Sequence, residues 1–240
     1  MTPAAVTDTI LFTVEDGLAR LTLNRPESLN AMDFEMGRRW HELAGRVTTD
    51  PAIGAVLIDA AGPAFCAGGD VIAMATSGAS GADVTRAADL IHEGIRLLCE
   101  GDRPIVAAVQ GAVAGGGLGL MLTADYIVAS QEARFVSKYA NIGLSPDLGV
   151  STLLPAAVGR QRALRLLLTD TTIDARTALD WGLVSEVVAP ADVASRAQAV
   201  ARYWLDNATA AFGRARRLVR RGADRPFPDS LADEPLREFG

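Results

Sequence analysis

The sequence is poor in the residues that define disulfide-rich, membrane-spanning and nucleic-acid-binding proteins. Its 240 residues include only two cysteines, Cys66 and Cys99, without CxxC spacing, which excludes a disulfide framework and a cysteine metal site. No run of about 20 apolar residues occurs, and the N-terminal stretch lacks the basic and apolar regions of a signal peptide. The net charge of −6 is the opposite of the basic excess expected of a nucleic-acid-binding domain.

These absences predict a cytoplasmic protein with reduced, structural cysteines and a small-molecule partner. They also predict no metal site, no membrane contact and no nucleic-acid partner. The 49% of apolar residues can fill a substantial core, and a chain of this length suits one compact domain.

Apolar periodicity and turn residues predict the first elements of the chain. Apolar and polar residues alternate on both sides of Glu15-Asp16-Gly17, as they do in a β-hairpin with a glycine turn. Asp33 is the expected cap of a helix that ends near Val47.

Short apolar runs further along the chain predict four more strands, at residues 55–60, 104–111, 126–130 and 134–137. A helix is expected from Asp83 to Cys99, and the chain turns mainly helical after Pro155, with one strand-like stretch at 183–188. Strands and helices therefore alternate up to about residue 154. This order indicates an α/β core with an appended helical segment.

Glycine is concentrated in the stretch GAVAGGGLGL, residues 111–120. The spacing is not the G-x-G-x-x-G of a dinucleotide site, and a phosphate-binding loop would need a lysine that is absent here. Two interpretations stay open: the glycines let a helix pack closely on a strand, or they expose backbone N–H donors to a ligand oxygen. A second pair, Gly68-Gly69, follows another predicted strand, so two donors could form an oxyanion hole.

Five motifs occur in the order found in the enoyl-CoA hydratase/isomerase, or crotonase, family. They are LNRPESLNAM (23–32), AFCAGGD (64–70), RPIVAAVQGAVAGGGLGLMLTADYIVAS (103–130), IGLSPDLGVSTLLP (142–155) and ALDWGLVSEVV (178–188). The resemblance covers about residues 10–225. It implies a ClpP-like spiral of ββα turns in residues 1–190, followed by a helical segment at 191–240 that forms trimers or hexamers. It also implies an acyl-CoA thioester as substrate, with coenzyme A as part of that substrate and no separate cofactor. Many relatives continue through a further helix, so the last helix is expected to be truncated here.

The same resemblance assigns the residues of the binding site. The amides of Gly69 and Gly116 would hold the thioester oxygen, and two loops would line the CoA moiety. The residues implied in CoA binding are Arg25, Ser28, Leu29, Ala31, Ala67, Gly68, Asp70, Val71 and Ile72. An arginine cluster at 214–221 either reaches CoA phosphates or forms a solvated helix face, and the second interpretation is favoured.

The sequence departs from the family at both hydratase glutamates. Gly119 and Tyr139 occupy those positions, so hydration by the usual pair of carboxylates is not expected. Asp147 aligns with the single catalytic aspartate of isomerases and of 4-chlorobenzoyl-CoA dehalogenase, although after Pro146 it could merely bond its own backbone in a turn. A single carboxylate can remove and return a proton beside a polarised thioester. Double-bond isomerisation is therefore the leading hypothesis, with Tyr139 lining the acyl pocket.

Two alternatives remain. His92 lies twelve residues before Pro104, the offset of the water-activating histidine in the dehalogenase, so Asp147 and His92 could perform nucleophilic aromatic substitution. A lone histidine on a helix is more often simply packed and hydrogen-bonded, and His92 lies near Ala88, Ile95 and Cys99 at helical spacing, so dehalogenation ranks second to isomerisation. The other alternative is a non-catalytic acyl-CoA-binding protein that has kept the fold and lost the glutamates.

Overall fold

A computed structural model describes residues 8–169, 171–222 and 225–234. Within these residues nine strands form two sheets. The strands are β1 (Ile10–Glu15), β2 (Leu18–Leu23), β3 (Ala55–Ala60), β4 (Ile105–Val109), β5 (Ala112–Ala114), β6 (Tyr126–Ser130), β7 (Arg134–Val136), β8 (Ile173–Asp174) and β9 (Glu186–Val188).

The larger sheet has six strands in the order β1-β2-β3-β4-β6-β9. β1 and β2 pair antiparallel, and the turn residues Asp16 and Gly17 both have positive φ angles, which confirms the predicted hairpin. From β2 to β9 all neighbouring strands are parallel. The carboxyl ends of these strands therefore share one edge of the sheet, where the loops of interest begin.

Ten helices lie in the same described part of the chain. They are α1 (Phe34–Thr49), α2 (Val71–Thr76), α3 (Gly81–Glu100), α4 (Gly116–Leu122), α5 (Val150–Val158), α6 (Arg160–Leu168), α7 (Ala175–Trp181), α8 (Val193–Leu205), α9 (Thr209–Gly222) and α10 (Phe227–Ala232). The Asp33 side chain accepts the Met36 N–H at 2.8 Å, as expected of the α1 cap. α3 begins two residues before the predicted Asp83, because Ser80 and Asp83 form a reciprocal capping box.

The chain repeats one order of elements. β4 is followed by β5 and α4, and β6 is followed by β7 and later α5, so each turn contributes a strand to the larger sheet, a short strand to the smaller sheet and a helix. After β3, Cys66 forms a bridge with Val113 of β5, and Gly69 forms one with Met32. This repetition is the spiral of ββα turns that the resemblance implies.

α5 differs from the sequence-based expectation. The chain was expected to turn helical after Pro155, but α5 begins at Val150 and contains that proline. The turn into the helix is made by Gly149, at φ 78. The missing proline N–H removes one hydrogen bond, to the carbonyl of Ser151 on an exposed part of the helix, where water can replace it.

α8 lies just beyond the predicted boundary at residue 190 and covers the outer face of the larger sheet. Its buried residues Val193, Ala197 and Val200 pack with Leu57 and Val106 of the sheet. The division into residues 1–190 and 191–240 stays a prediction. So does assembly into trimers or hexamers.

The arginines of α9 are not simply a solvated face, and that interpretation is wrong for two of them. Arg216 is 7% exposed; it forms an ion pair with Asp125 and donates to the Leu98 carbonyl at the end of α3. Arg220 forms a second ion pair with Asp125, at 2.9 Å. The sequence pattern missed this because it shows the spacing of the charges along α9 and not the acceptors that α9 packs against.

The end of the chain was expected to carry a truncated helix. α10 is a single short helix, and residues 235–240 lie outside the described residues. Among the helices that are described, none combines the length and the apolar character needed to cross a bilayer.

Candidate active site

The two glycine-containing loops meet at the start of α4. Cys66 exchanges two backbone hydrogen bonds with β5, donating to the Ala112 carbonyl at 3.2 Å and accepting from the Ala114 amide at 2.9 Å. The chain then reaches Gly68, where a β-carbon would lie only 3.2 Å from the Gly116 nitrogen. Gly68 also has φ 96, a conformation that residues with side chains rarely adopt. A glycine is therefore required where this loop crosses α4.

The amides of Gly69 and Gly116 are available to a ligand. Neither donates a hydrogen bond to another described residue. Gly116 is buried, whereas Gly69 lies on the exposed side of the same loop. Two unpaired N–H donors on adjoining loops meet the minimal requirement for an oxyanion hole. Their binding of one thioester oxygen stays a prediction.

The two loops predicted to line CoA are joined to each other. The Ala67 amide donates to the Leu29 carbonyl at 3.0 Å, and the Met32 amide donates to the Gly68 carbonyl at 2.7 Å. The structure therefore brings the segments 28–31 and 67–72 together as expected, with Ile72 78% exposed on α2. Their contact with CoA stays a prediction.

Asn30 is a residue of this region that the sequence analysis missed. Its side chain is fully buried; it accepts the Arg25 amide at 2.7 Å and donates to the carbonyls of Ala61 and Ala64 at 2.9 Å each. Its φ of 56 belongs to the left-handed region, which asparagine tolerates better than most residues. The second asparagine of LNRPESLNAM is the sequence feature that could have indicated this role. The Asn30 side chain fixes the loop that carries Ser28, Leu29 and Ala31.

Arg25 has protein partners in this structure. Its guanidinium lies 3.3 Å from Asp33 and 3.0 Å from Asp70 and also donates to the Ala31 carbonyl. Asp33 caps α1 and Asp70 caps α2, so Arg25 links the starts of two helices. A further contact of Arg25 with CoA phosphates stays a prediction.

Asp147 lies in a tight turn before α5. The Val150 amide donates to the Asp147 carbonyl at 2.9 Å, and the two residues between them, Leu148 and Gly149, have φ angles of 47 and 78. A leucine in the left-handed region is unusual and costs on the order of 1–3 kcal/mol. The turn leaves Asp147 half-buried and buries Leu148, which is 3% exposed.

Tyr139 contacts the candidate base directly. Its hydroxyl donates to Asp147 Oδ1 at 2.6 Å and lies 3.3 Å from the Asp147 carbonyl oxygen. Burial, together with this hydrogen bond to Asp147, raises the pKa of Tyr139 well above its ordinary value, so the phenol remains a donor. The sequence predicted that Tyr139 lines the acyl pocket. The structure adds a hydrogen bond that orients the carboxylate.

The Asp147 turn packs against the start of α4. A β-carbon placed on Gly116 would lie 3.5 Å from Asp147 Oδ1 and 2.6 Å from Leu148 Cδ1. The carboxylate is therefore adjacent to one of the two candidate oxyanion donors. A base close to an oxyanion donor is the arrangement needed for proton transfer beside a carbonyl, and these roles for Asp147 and the Gly116 amide stay predictions.

Gly119 is required by the same turn. A β-carbon on Gly119 would collide with the Leu148 carbonyl oxygen and approach the Leu148 side chain. The backbone of the Asp147 turn thus occupies the space into which a residue-119 side chain would extend. The absence of a glutamate at 119 is coupled to the conformation of Leu148.

His92 reaches the turn from α3. Its Nε2 accepts a hydrogen bond from the Leu148 amide at 3.1 Å. The structure thus brings His92 close to Asp147, as the sequence predicted, but its contact is with the backbone that follows the carboxylate. This contact agrees with the interpretation of His92 as a hydrogen-bonded helix residue, and a role in activating water stays a prediction.

Cys66 is a core residue at the base of this site. It is fully buried, and burial raises the pKa of its thiol to about 12. A thiol with so high a pKa is a poor nucleophile at neutral pH. Within the described ranges, no group of three or more histidine, cysteine, aspartate or glutamate residues could hold a metal ion.

Solved structures share this architecture. An enoyl-CoA hydratase from Polaromonas superposes with a TM-score of 0.87, is 32% identical, and the match covers 94% of this chain and 88% of that one. The ββα spiral, with its paired glycine loops before α4, is the crotonase fold. The protein is thereby placed in the crotonase class.

Sequence comparison identifies the family. The enoyl-CoA hydratase/isomerase family matches residues 13–235. The 1,2-epoxyphenylacetyl-CoA isomerase of Escherichia coli is 34% identical over 212 residues, which cover 88% of this chain and 81% of the isomerase. The 4-chlorobenzoyl coenzyme A dehalogenase-2 of an Arthrobacter species is 33% identical over 189 residues, 78% of this chain and 68% of the dehalogenase. The chain belongs to the enoyl-CoA hydratase/isomerase family.

Proposed function

We propose that this protein shifts a carbon–carbon double bond in an acyl-CoA thioester, with Asp147 as the only catalytic acid and base. The observation that carries the proposal is the position of Asp147 Oδ1, which contacts Tyr139 and faces the start of α4 at Gly116. One carboxylate beside one oxyanion site is sufficient for a 1,3-proton shift. Hydration would need a second group to hold water, and Gly119 and Tyr139 supply no carboxylate.

The reaction proceeds in two proton transfers. With a 3-enoyl thioester, the Asp147 carboxylate takes a proton from C2, and the electron pair of that C–H bond spreads over C2, C4 and the thioester oxygen. The amides of Gly69 and Gly116 stabilise the charge on that oxygen. Protonated Asp147 then gives the proton to C4, which leaves a double bond between C2 and C3 and restores the carboxylate. No external oxidant, reductant or water is consumed.

The isomerase named above, at 34% identity, acts on an epoxyphenylacetyl-CoA, so it supports isomerisation of an acyl-CoA thioester in general and not the double-bond shift in particular. The dehalogenase at 33% identity supports a second candidate, in which Asp147 attacks an aromatic carbon and His92 activates water. The hydrogen bond from the Leu148 amide to His92 Nε2 weighs against that candidate, because it occupies the lone pair that would accept the water proton.

The test is incubation with a 3-enoyl-CoA in deuterated water, followed by NMR. We expect double-bond migration with deuterium entering at C2 and C4, and a loss of about 10²–10⁴-fold in rate for Asp147→Asn. Asp180→Asn, an exposed aspartate on α7, serves as the matched control and retains the rate. Absence of both migration and exchange at high enzyme concentration would rule out the isomerase.

The two alternatives give different results. A dehalogenase would release chloride from 4-chlorobenzoyl-CoA and form an ester on Asp147 that is detectable by mass spectrometry. A non-catalytic binder would bind CoA thioesters in calorimetry without transforming any of them.

A further inference from the structure

His92 has a contact that the proton-transfer scheme does not use. Its Nε2 lies 3.1 Å from the Leu148 nitrogen. A backbone amide can only donate a hydrogen bond, so Nε2 is the acceptor and the proton of the neutral imidazole resides on Nδ1. The ring therefore binds the backbone directly after Asp147, and its Nε2 lone pair is engaged.

The Leu148 amide needs this acceptor. Leu148 has φ 47 and is 3% exposed, and the hydrogen bond that closes its turn runs from the Val150 amide to the Asp147 carbonyl. That bond leaves the Leu148 N–H without a partner inside the turn. A backbone N–H without a partner in a buried position is rare in folded proteins. His92 satisfies it and thereby supports a conformation that leucine does not favour.

The carboxylate of Asp147 is thus held from two directions. Tyr139 binds Oδ1 from one side, and His92 fixes the backbone that immediately follows. α3 presents His92 to the turn and also packs against it, since Ile95 Cγ2 would lie 3.7 Å from a β-carbon on Gly149. The turn that follows Asp147 therefore packs against the face of α3 that carries His92 and Ile95.

We propose that His92 is a positioning residue for Asp147, which acts through the Leu148 amide and neither activates water nor contacts the substrate. This inference rests on the proposed isomerase function. A hydrogen-bond acceptor is all that the role requires, so a glutamine side chain can supply it in part, whereas an apolar side chain cannot.

The test compares His92→Gln, His92→Leu and the unchanged protein in the 3-enoyl-CoA assay. We expect His92→Leu to lower kcat by on the order of 10- to 100-fold with KM within twofold, because a displaced carboxylate loses its alignment with the substrate carbon. His92→Gln recovers kcat to within a few-fold of the unchanged protein. His41→Gln, the same substitution at the other histidine, is the matched control and retains full activity.

The outcomes are distinct. If the unchanged protein fails to isomerise any 3-enoyl-CoA, the proposed function falls and this role falls with it. If it isomerises but both His92 variants lose kcat equally, the imidazole has a chemical role and the positioning role is overturned. If neither variant loses kcat, the contact is dispensable and the inference is also wrong. Circular dichroism melts establish that each variant is folded, and the exposed setting of His92 on α3 makes misfolding unexpected.

Discussion

The hydroxyl of Tyr139 donates to Oδ1 of Asp147, eight positions further along the chain, at 2.6 Å. Tyr139 occupies a position where hydratases of the family have a glutamate, and Asp147 occupies the position of the isomerase aspartate. In this protein the two side chains are joined by a hydrogen bond. Because Tyr139 is buried, at 4% exposure, its ring is fixed in the core and its hydroxyl orients the half-buried Asp147 carboxylate.

Tyr139→Phe removes this donor without changing the ring. A hydrogen bond to a charged group contributes about 1.5–3 kcal/mol, so we expect kcat for isomerisation to fall on the order of 10- to 100-fold. Steady-state kinetics with a 3-enoyl-CoA measures the loss. Tyr203→Phe is the control, because Tyr203 is 60% exposed on α8. An unchanged kcat in Tyr139→Phe would show that Asp147 needs no partner.

Gly119→Ala tests the contact between α4 and the Asp147 turn. In most helices this exchange stabilises, but here the new methyl group collides with the Leu148 carbonyl, so we expect both stability and isomerase activity to fall. A loss of about 1–3 kcal/mol is typical of overpacking. Gly45→Ala in α1 is the matched control, since a β-carbon there meets nothing within 4 Å, and it gains about 0.5–1 kcal/mol. Urea unfolding and the isomerase assay distinguish the two variants, and equal behaviour would contradict the collision.

We expect the buried Cys66 thiol to make the free energy of unfolding depend on pH in the alkaline range. Burial raises its pKa in the folded protein from 9.0 to about 12. Its contribution is therefore fully present below pH 9 and is lost as the pH rises from 9 towards 12, since the unfolded chain releases the proton first. We expect a loss of about 1.4 kcal/mol at pH 10. Urea unfolding at pH 8 and pH 10 measures this loss in the unchanged protein and in Cys66→Ala. We expect the variant to lack the part of the pH dependence that comes from the thiol.

Arg216→Met tests the ion-pair cluster behind α3. The substitution leaves Asp125 with one guanidinium fewer and removes donors from the carbonyls at the end of α3. Because the pair is part-buried and Arg220 still neutralises Asp125, we expect a loss of about 1–3 kcal/mol, the cost of leaving buried acceptors without donors, which urea unfolding measures. Arg217→Met, which removes a half-exposed pair with Asp102, is expected to cost under about 1 kcal/mol. Similar values for both would mean that burial of Arg216 has no energetic consequence.

The local part of the structure was predictable from the sequence. The hairpin at Asp16-Gly17, the cap of α1 by Asp33 and the glycine junction before α4 depend on neighbours in the chain, and each is confirmed. The placement of Gly69, Gly116 and Asp147 in one region followed from ordered motifs of the family. Their roles in binding and catalysis stay predictions.

Other features were not predictable because they depend on contacts between distant segments. Nothing in the run of arginines on α9 reveals that Arg216 meets Asp125, 91 residues away in the chain. The Tyr139–Asp147 hydrogen bond joins two segments of an irregular loop, and the left-handed conformation of Leu148 beside it has no signal in the sequence. The start of α5 differs from the sequence-based prediction because the helix begins after Gly149 and accommodates Pro155 in its interior.

The packing of Gly119 against the Leu148 carbonyl also has a consequence for protein engineering. A glutamate placed at position 119 alone does not add a second carboxylate beside Asp147, because its β-carbon collides with the Leu148 carbonyl oxygen. The turn at Leu148 would have to change as well, and the same change would displace Asp147. A variant library that aims at hydration therefore has to vary Leu148 and Gly119 together.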